Sequence, residues 1–238
     1  MTNAGFGKLL KNTRYQTRVL IGRFPAALPL FRVIPRYRPR VVTKETEICI
    51  EGFPRCGNSF FVNVFREWNP GVRMAHHLHI PAQVVRAVQL GIPCIVLIRK
   101  PIDALASLLI IDERLSVGIA IRSYLDFYRR ILPLRPFLVI ADFQEVTTHP
   151  EKIIHRVNHK FQRSFASHPL TETLKAQIFE KLKEHHGNAA QPRYQIPVPM
   201  LEKQDRKRAL VPKIQKSPWI QEAYKLYQVF LQGPKDPP

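Results

Sequence analysis

The sequence predicts an α/β protein in which helices cover both faces of a central, mainly parallel sheet, a three-layer sandwich. Three observations lead there. Short apolar or β-branched runs alternate with helical patterns across short loops. The run Ile92 to Ile98 is almost continuously apolar, as in a parallel strand buried on both faces. Residues Gly52 to Ser59 read Gly-Phe-Pro-Arg-Cys-Gly-Asn-Ser. They end a strand pattern and open a helical one with the spacing of a phosphate loop, G-x-x-x-x-G-K-[ST]. The sheet is therefore expected to be P-loop NTPase-like.

Each element has a local reason. A first strand is expected over 47–51, where isoleucines alternate with Cys49. A helix over 58–68 carries Phe60, Phe61, Val64, Phe65 and Trp68 at helical spacing. Asn69-Pro70-Gly71 is a turn, and an extended piece over 72–78 carries His76 and His77. Pro81 suits a first helical turn, and Gly91 suits the end of the same helix. After the strand at 92–98, Arg99-Lys100-Pro101 leads into a helix from 102 to about 114. A helix at about 117–131, a strand at 137–141 and helices at 150–162 and 169–186 follow. The stretch 187–216 reads as irregular and basic. A last helix, about 218–231, carries Trp219, Ala223, Leu226 and Phe230 as an apolar stripe. The chain thus divides into a basic, proline-interrupted arm (1–45) and one domain (46–238) with a C-terminal helix.

The formal net charge is +19, and such an excess favours anionic partners. It is uneven: residues 1–44 hold ten Lys and Arg and no acid. The arm suits an anionic membrane surface or a polyanionic substrate; a solvated arm packed over the domain fits equally well. Nucleic acid is disfavoured because no stacking-aromatic motif accompanies the charge. Three cysteines make no disulfide framework. Cys49 and Cys94 fall in strands as small hydrophobes, whereas Cys56 lies in the loop, where an exposed thiol is one reading and a small loop residue the better one. No apolar run is long enough to span a bilayer and no signal peptide is evident. The cytoplasm, with or without a peripheral membrane contact, is the simplest location.

The loop is chemically specific. Its backbone N–H groups and the following helix N-terminus suit a phosphate. The lysine that a nucleotide triphosphatase aims at its β- and γ-phosphates is replaced by Asn58, and a cation, Arg55, sits within the loop. Arg99 stands at the end of the second buried strand, with Pro101, Asp103 and Ser107 on the helix that follows. A guanidinium and a nearby hydroxyl form a second oxyanion corner. The plainer alternative pairs Arg99 with Asp103 or Asp142 and lets Asp103 cap the helix. Three histidines crowd Ala75-His76-His77-Leu78-His79. One facing a site would suit proton abstraction near neutral pH. Metal binding by His77 and His79 has no carboxylate or Cys support nearby.

Together these pieces resemble the PAPS-dependent sulfotransferases, PAPS being 3′-phosphoadenosine 5′-phosphosulfate. The family's 5′-phosphosulfate loop usually reads Pro-Lys/Arg-Ser-Gly-Thr/Ser/Asn-Thr/Ser, and Pro54-Arg55-Cys56-Gly57-Asn58-Ser59 is similar. Its 3′-phosphate motif, Arg-x-Pro-x-Asp-x-x-x-Ser, is matched by Arg99, Pro101, Asp103 and Ser107. The Lys-Thr-His-Leu-Pro of many members looks like His76-His77-Leu78-His79-Ile80-Pro81. The resemblance implies sulfuryl transfer from PAPS to a hydroxyl or amine without a required metal. It implies Arg55 and His77 as catalytic residues. It implies that Arg55, Cys56, Gly57, Asn58, Ser59, Phe60, Arg99 and Ser107 bind the donor. The chain departs from the pattern at Cys56 and lacks the late Arg-Lys-Gly motif. Lys203, Arg206, Lys207, Arg208, Lys213 and Lys216 stand in that region instead. The acceptor is left open among carbohydrate, lipid and small alcohol. Two rivals remain: a P-loop nucleotide kinase or NTPase, and a non-enzymatic binder using the basic arm.

Overall fold

The computed structural model describes residues 13, 15–186, 198 and 201–232. Four strands form one parallel sheet in the order β2-β1-β3-β4: β1 Ile48–Gly52, β2 Met74–His76, β3 Cys94–Ile98 and β4 Val139–Asp142. The first strand in sequence therefore lies in the middle, with β2 on one side and β3 on the other. Cys49 sits opposite Cys94, and Gly52 opposite Leu97. All residues of β1 and β3 are buried, as expected of strands covered on both faces. The fold class is the α/β sandwich that the alternation of strand and helix patterns led to.

Helices α3 (Asn58–Trp68), α4 (Pro81–Gln89), α5 (Pro101–Ile111) and α6 (Val117–Ile131) take up the central crossovers. Then come α7 (Phe143–Thr148), α8 (Pro150–Phe161), α9 (Glu172–His186), α10 (Leu201–Gln215) and α11 (Ile220–Gln232). Before the sheet, α1 (15–21) and α2 (Leu28–Val33) precede a short 3-10 turn, Arg38–Arg40. The expected helix beginning near Lys8 falls partly outside the described residues. Leu28, Phe31, Tyr37, Val41 and Val42 are buried in the common core. The segment is pinned by the fully buried Gln83, which accepts from the N–H of Val42 and donates to the carbonyl of Arg40, both at 3.0 Å. No helix among the described residues is long and apolar enough to cross a membrane.

Helices α2, α7 and α10 depart from expectation. The irregular stretch expected over 187–216 contains α10, with Pro212 inside it; residues 187–197, 199 and 200 lie outside the described set. Leu201 to Ala209 carries no apolar stripe, and Ile214 alone is fully buried. Amphipathic periodicity therefore gives no signal, and Pro212 reads as a breaker. Packing along α5 accompanies the helix instead.

Candidate active site

At the carboxyl end of β1 the chain makes its turn through Phe53 to Gly57. Gly57 caps α3 with φ 93°, a left-handed value that glycine adopts freely. Arg55, two residues earlier, also has a positive φ of 72°, uncommon for a residue with a Cβ. Gly52 permits a close approach: a Cβ there would meet the Leu97 carbonyl oxygen at 2.5 Å. The first α-helical N–H bond after the loop runs from Phe61 to Gly57. The N–H groups of residues 57–60 have no protein acceptor among the described residues, which leaves them for an anion.

Two guanidiniums converge on this turn. Nε of Arg55 donates to Ser107 Oγ at 3.0 Å, and Nη1 of Arg99 donates to the Arg55 carbonyl at 3.0 Å. Arg99 also lies over the ring of Phe143, 3.8 Å from its centroid. Burial, then the like charge of Arg99, lowers Arg55 to about 10. Burial also lowers Arg99, opposed by Asp103 and Asp142. Neither arginine forms an ion pair with a carboxylate among the described residues. The plainer reading of Arg99 is thus not what the chain does. Asp103 pairs with Lys207 on α10. Asp142 instead caps α7 through the N–H of Gln144 and accepts from Tyr227 Oη at 2.6 Å.

A cavity of about 540 Å³ opens over these groups, lined among others by Arg55, Asn58, Ser59, Phe60, Arg99 and Ser107. Lys203 on α10 reaches the same space. Burial and then Arg55 lower its ammonium to about 8, and Nζ donates to the Val198 carbonyl at 2.7 Å. Asn58, in the position of a P-loop lysine, turns inward: it is buried and its Nδ2 donates to the Phe53 carbonyl at 3.1 Å. Cys56 is fully buried, its Sγ 3.4 Å from Tyr128 Oη. Burial pushes the thiol up to about 12, so the exposed-thiol reading of Cys56 is excluded and it serves as a small loop residue. Phe61, Tyr124 and Tyr128 are likewise buried core.

On the other side of α3 lies a second cleft, of about 1060 Å³, lined by Ser59, His76 and His77 together with Arg38, Arg40 and Arg66. Ser59 lines both spaces. Its Oγ is 3.1 Å from His77 Nε2, and His77 Nδ1 is 2.7 Å from His76 Nδ1. Burial, then His77, Arg66 and Arg40, lowers His76 to about 2, so this ring is neutral. Arg66 Nη2 lies 3.4 Å from His76 Nε2. Arg66 can only donate. That contact makes the neutral His76 donate at Nδ1 to His77 Nδ1, which leaves the His77 hydrogen on Nε2, toward Ser59.

The turn carrying His77 is held from beneath by a residue the sequence did not flag. Glu51, fully buried within β1, accepts from the N–H of Leu78 at 2.7 Å, from that of His79 at 3.0 Å and from Gln83 Nε2 at 2.9 Å. These bonds accompany positive φ at both His77 (59°) and His79 (52°), a backbone that costs energy unless its surroundings impose it. Burial raises Glu51 to about 7 against the pull of those donors. His79, driven well below its ordinary value by burial, is tied by Nδ1 to the Gly52 carbonyl at 2.8 Å. A glutamate inside an isoleucine run carries no pattern of its own and becomes legible only once β1 and the His77 turn are adjacent. Among the described residues, no group of three His, Cys, Asp or Glu is placed to hold a metal ion.

No family model matches the sequence, and no curated protein matches it significantly. Among solved structures the chain is similar to the mouse sulfotransferase SULT7A1 complexed with PAP, at a TM-score of 0.42 and 12% identity over 80% of this chain and 91% of that one.

Proposed function

We propose that this protein is a sulfotransferase that moves a sulfuryl group from PAPS to a hydroxyl or amine acceptor. The observation that carries the reading is Ser59, which lines both the cavity containing Arg55 and Arg99 and the cleft containing His77. A donor on one side and an acceptor on the other would meet at that residue. The first space fits a ligand with two phosphate groups: it offers two cations without carboxylate partners, unbonded N–H groups at 57–60 and Ser107.

PAPS would supply the sulfuryl group, the acceptor oxygen bonding to sulfur as the bond from sulfur to the bridging phosphate oxygen breaks. Arg55 and the N–H groups of residues 57–60 stabilise the charge that grows on the departing phosphate side. Arg99 and Ser107 fix the second phosphate, so that orientation supplies part of the rate. His77 takes the acceptor proton at Nε2. That role needs the hydrogen of His77 on Nδ1 and the lone pair of His76 Nδ1 turned toward it. The long contact from Arg66 to His76 is the one that must loosen. Ser59 holds the His77 ring at the junction until an acceptor takes its place.

The test is conversion of PAPS to the desulfated bisphosphate, followed by chromatography, with a mixed panel of phenol, alcohol and sugar acceptors. Turnover that falls in both Arg55→Ala and His77→Ala supports the reading. Turnover absent with every acceptor, alongside hydrolysis of Mg²⁺–ATP, contradicts it.

A further inference from the structure

We propose that the acceptor is a hydroxyl compound bearing an oxyanion near the reacting hydroxyl, held in the larger cleft by Arg38, Arg40 and Arg66. The inference rests on the sulfotransferase reading and names its substrate class. Arg38 and Arg40 come from the turn before the sheet, and Arg66 comes from the last turn of α3. Two other cations of the cleft are already engaged: Arg73 with Glu47 at 3.4 Å and Lys181 with Glu67 at 2.7 Å. Glu45 and Glu184 stand exposed at its rim. Among the described residues, Arg38, Arg40 and Arg66 have no carboxylate at ion-pair distance.

Three guanidiniums gathered from two elements, none ion-paired to a carboxylate among the described residues, suit a carboxylate, phosphate or sulfate, which accepts paired N–H bonds. Their placement relative to the chemistry is specific. Arg66 touches His76, which touches His77, so an oxyanion on Arg66 is separated from the proposed base by the single ring of His76. Gln83 ties the Arg40 backbone to the buried core and to Glu51, beneath the His77 turn.

The same contact gives the oxyanion a second effect. While Arg66 leans on His76 Nε2, the His77 lone pair points at His76. Drawing Arg66 onto the acceptor lets His76 carry its hydrogen on Nε2 and accept at Nδ1. His77 Nε2 is then free to take the proton. A charged acceptor therefore raises kcat as well as lowering KM.

The test pairs hydroxyl compounds that differ only in charge: myo-inositol against inositol 1-phosphate, and glucose against glucuronate. Each is titrated calorimetrically into protein saturated with the desulfated bisphosphate, then assayed for sulfuryl transfer. Vesicles with and without phosphatidylinositol separate a lipid-borne phosphate from a free one. The charged member of a pair, free or on vesicles, is expected to bind about tenfold tighter or more and to show the higher kcat. That advantage is expected to be lost in Arg40→Gln and Arg66→Gln variants whose thermal unfolding matches wild type. Equal binding of charged and neutral members, binding of neither, or a preference that survives both substitutions overturns the proposal. If the bisphosphate binds and the preference is missing, only the acceptor inference fails. If the bisphosphate does not bind, the sulfotransferase reading itself fails.

Discussion

Arg99 Nη1 donates to the backbone carbonyl of Arg55 at 3.0 Å, and this bond joins the end of β3 to the loop after β1. The two proposed phosphate corners are thereby held at a fixed separation. The arrangement places like charges close together, and burial with mutual repulsion lowers Arg55. A dianionic ligand relieves both costs at once.

Removing the loop cation should therefore affect rate more than fold. Arg55→Ala is expected to reduce sulfuryl transfer on the order of 10²–10³-fold, read in a labelled-donor assay. Unchanged turnover would show that the loop N–H groups suffice.

His77→Ala is expected to lower kcat on the order of 10²–10⁴-fold while leaving bisphosphate affinity near wild type, because His77 lines the other cleft. If turnover survives, the base lies elsewhere, with His76 and His79 as the next to replace.

Lys203 gives the donor site a pH dependence. With its ammonium lowered to about 8, it is charged at pH 7 and largely neutral at pH 9. An anion bound beside it raises that value again, so binding takes up a proton above pH 8. Bisphosphate affinity should fall between pH 7 and 9, with proton uptake visible as a buffer-dependent binding enthalpy. Lys203→Met should flatten the slope. Equal slopes in the two proteins would remove Lys203 from the site.

Glu51 should shape stability rather than affinity. Its folded value is raised from 4.5 to about 7, so between those values the folded state holds a proton that the unfolded chain has released. The Glu51 contribution is fullest below 4.5 and declines as pH rises to 7, by a few kcal/mol in all, while the lowered values of His76 and His79 act in the opposite sense as pH falls below 6.5. Urea unfolding of wild type and Glu51→Gln at pH 5 and pH 7.5 checks this: the variant should lose stability at pH 5 relative to pH 7.5 when set against wild type. A difference of the same size in the variant would refute the assignment.

Gly57→Ala is expected to destabilise by about 1–2 kcal/mol, because φ is 93° and the new Cβ would meet Val146 Cγ1 at 3.0 Å. Thermal unfolding reads the loss, and a Tm equal to wild type would argue against this loop backbone.

Much of this arrangement was legible in the sequence because it is local. The loop from Gly52 to Ser59 and the run from Arg99 to Ser107 each join a strand to its own helix, so spacing alone placed their side chains. What was not legible is non-local or unpatterned. Glu51 acts on residues 27 and 28 positions away. Arg38 and Arg66 reach one cleft from different elements. The helix α10 has no apolar stripe to announce it, yet it brings Lys203 and Lys207 over the cavity that holds Arg55 and Arg99.

Calorimetric titration with 3′-phosphoadenosine 5′-phosphate, set against ATP with Mg²⁺, decides between a sulfotransferase and a nucleotide kinase. Tight binding of the bisphosphate, indifferent to chelator and lost in Arg99→Ala, is expected. No bisphosphate binding, with clear binding of Mg²⁺–ATP, would contradict it and move the chain to the nucleotide kinases.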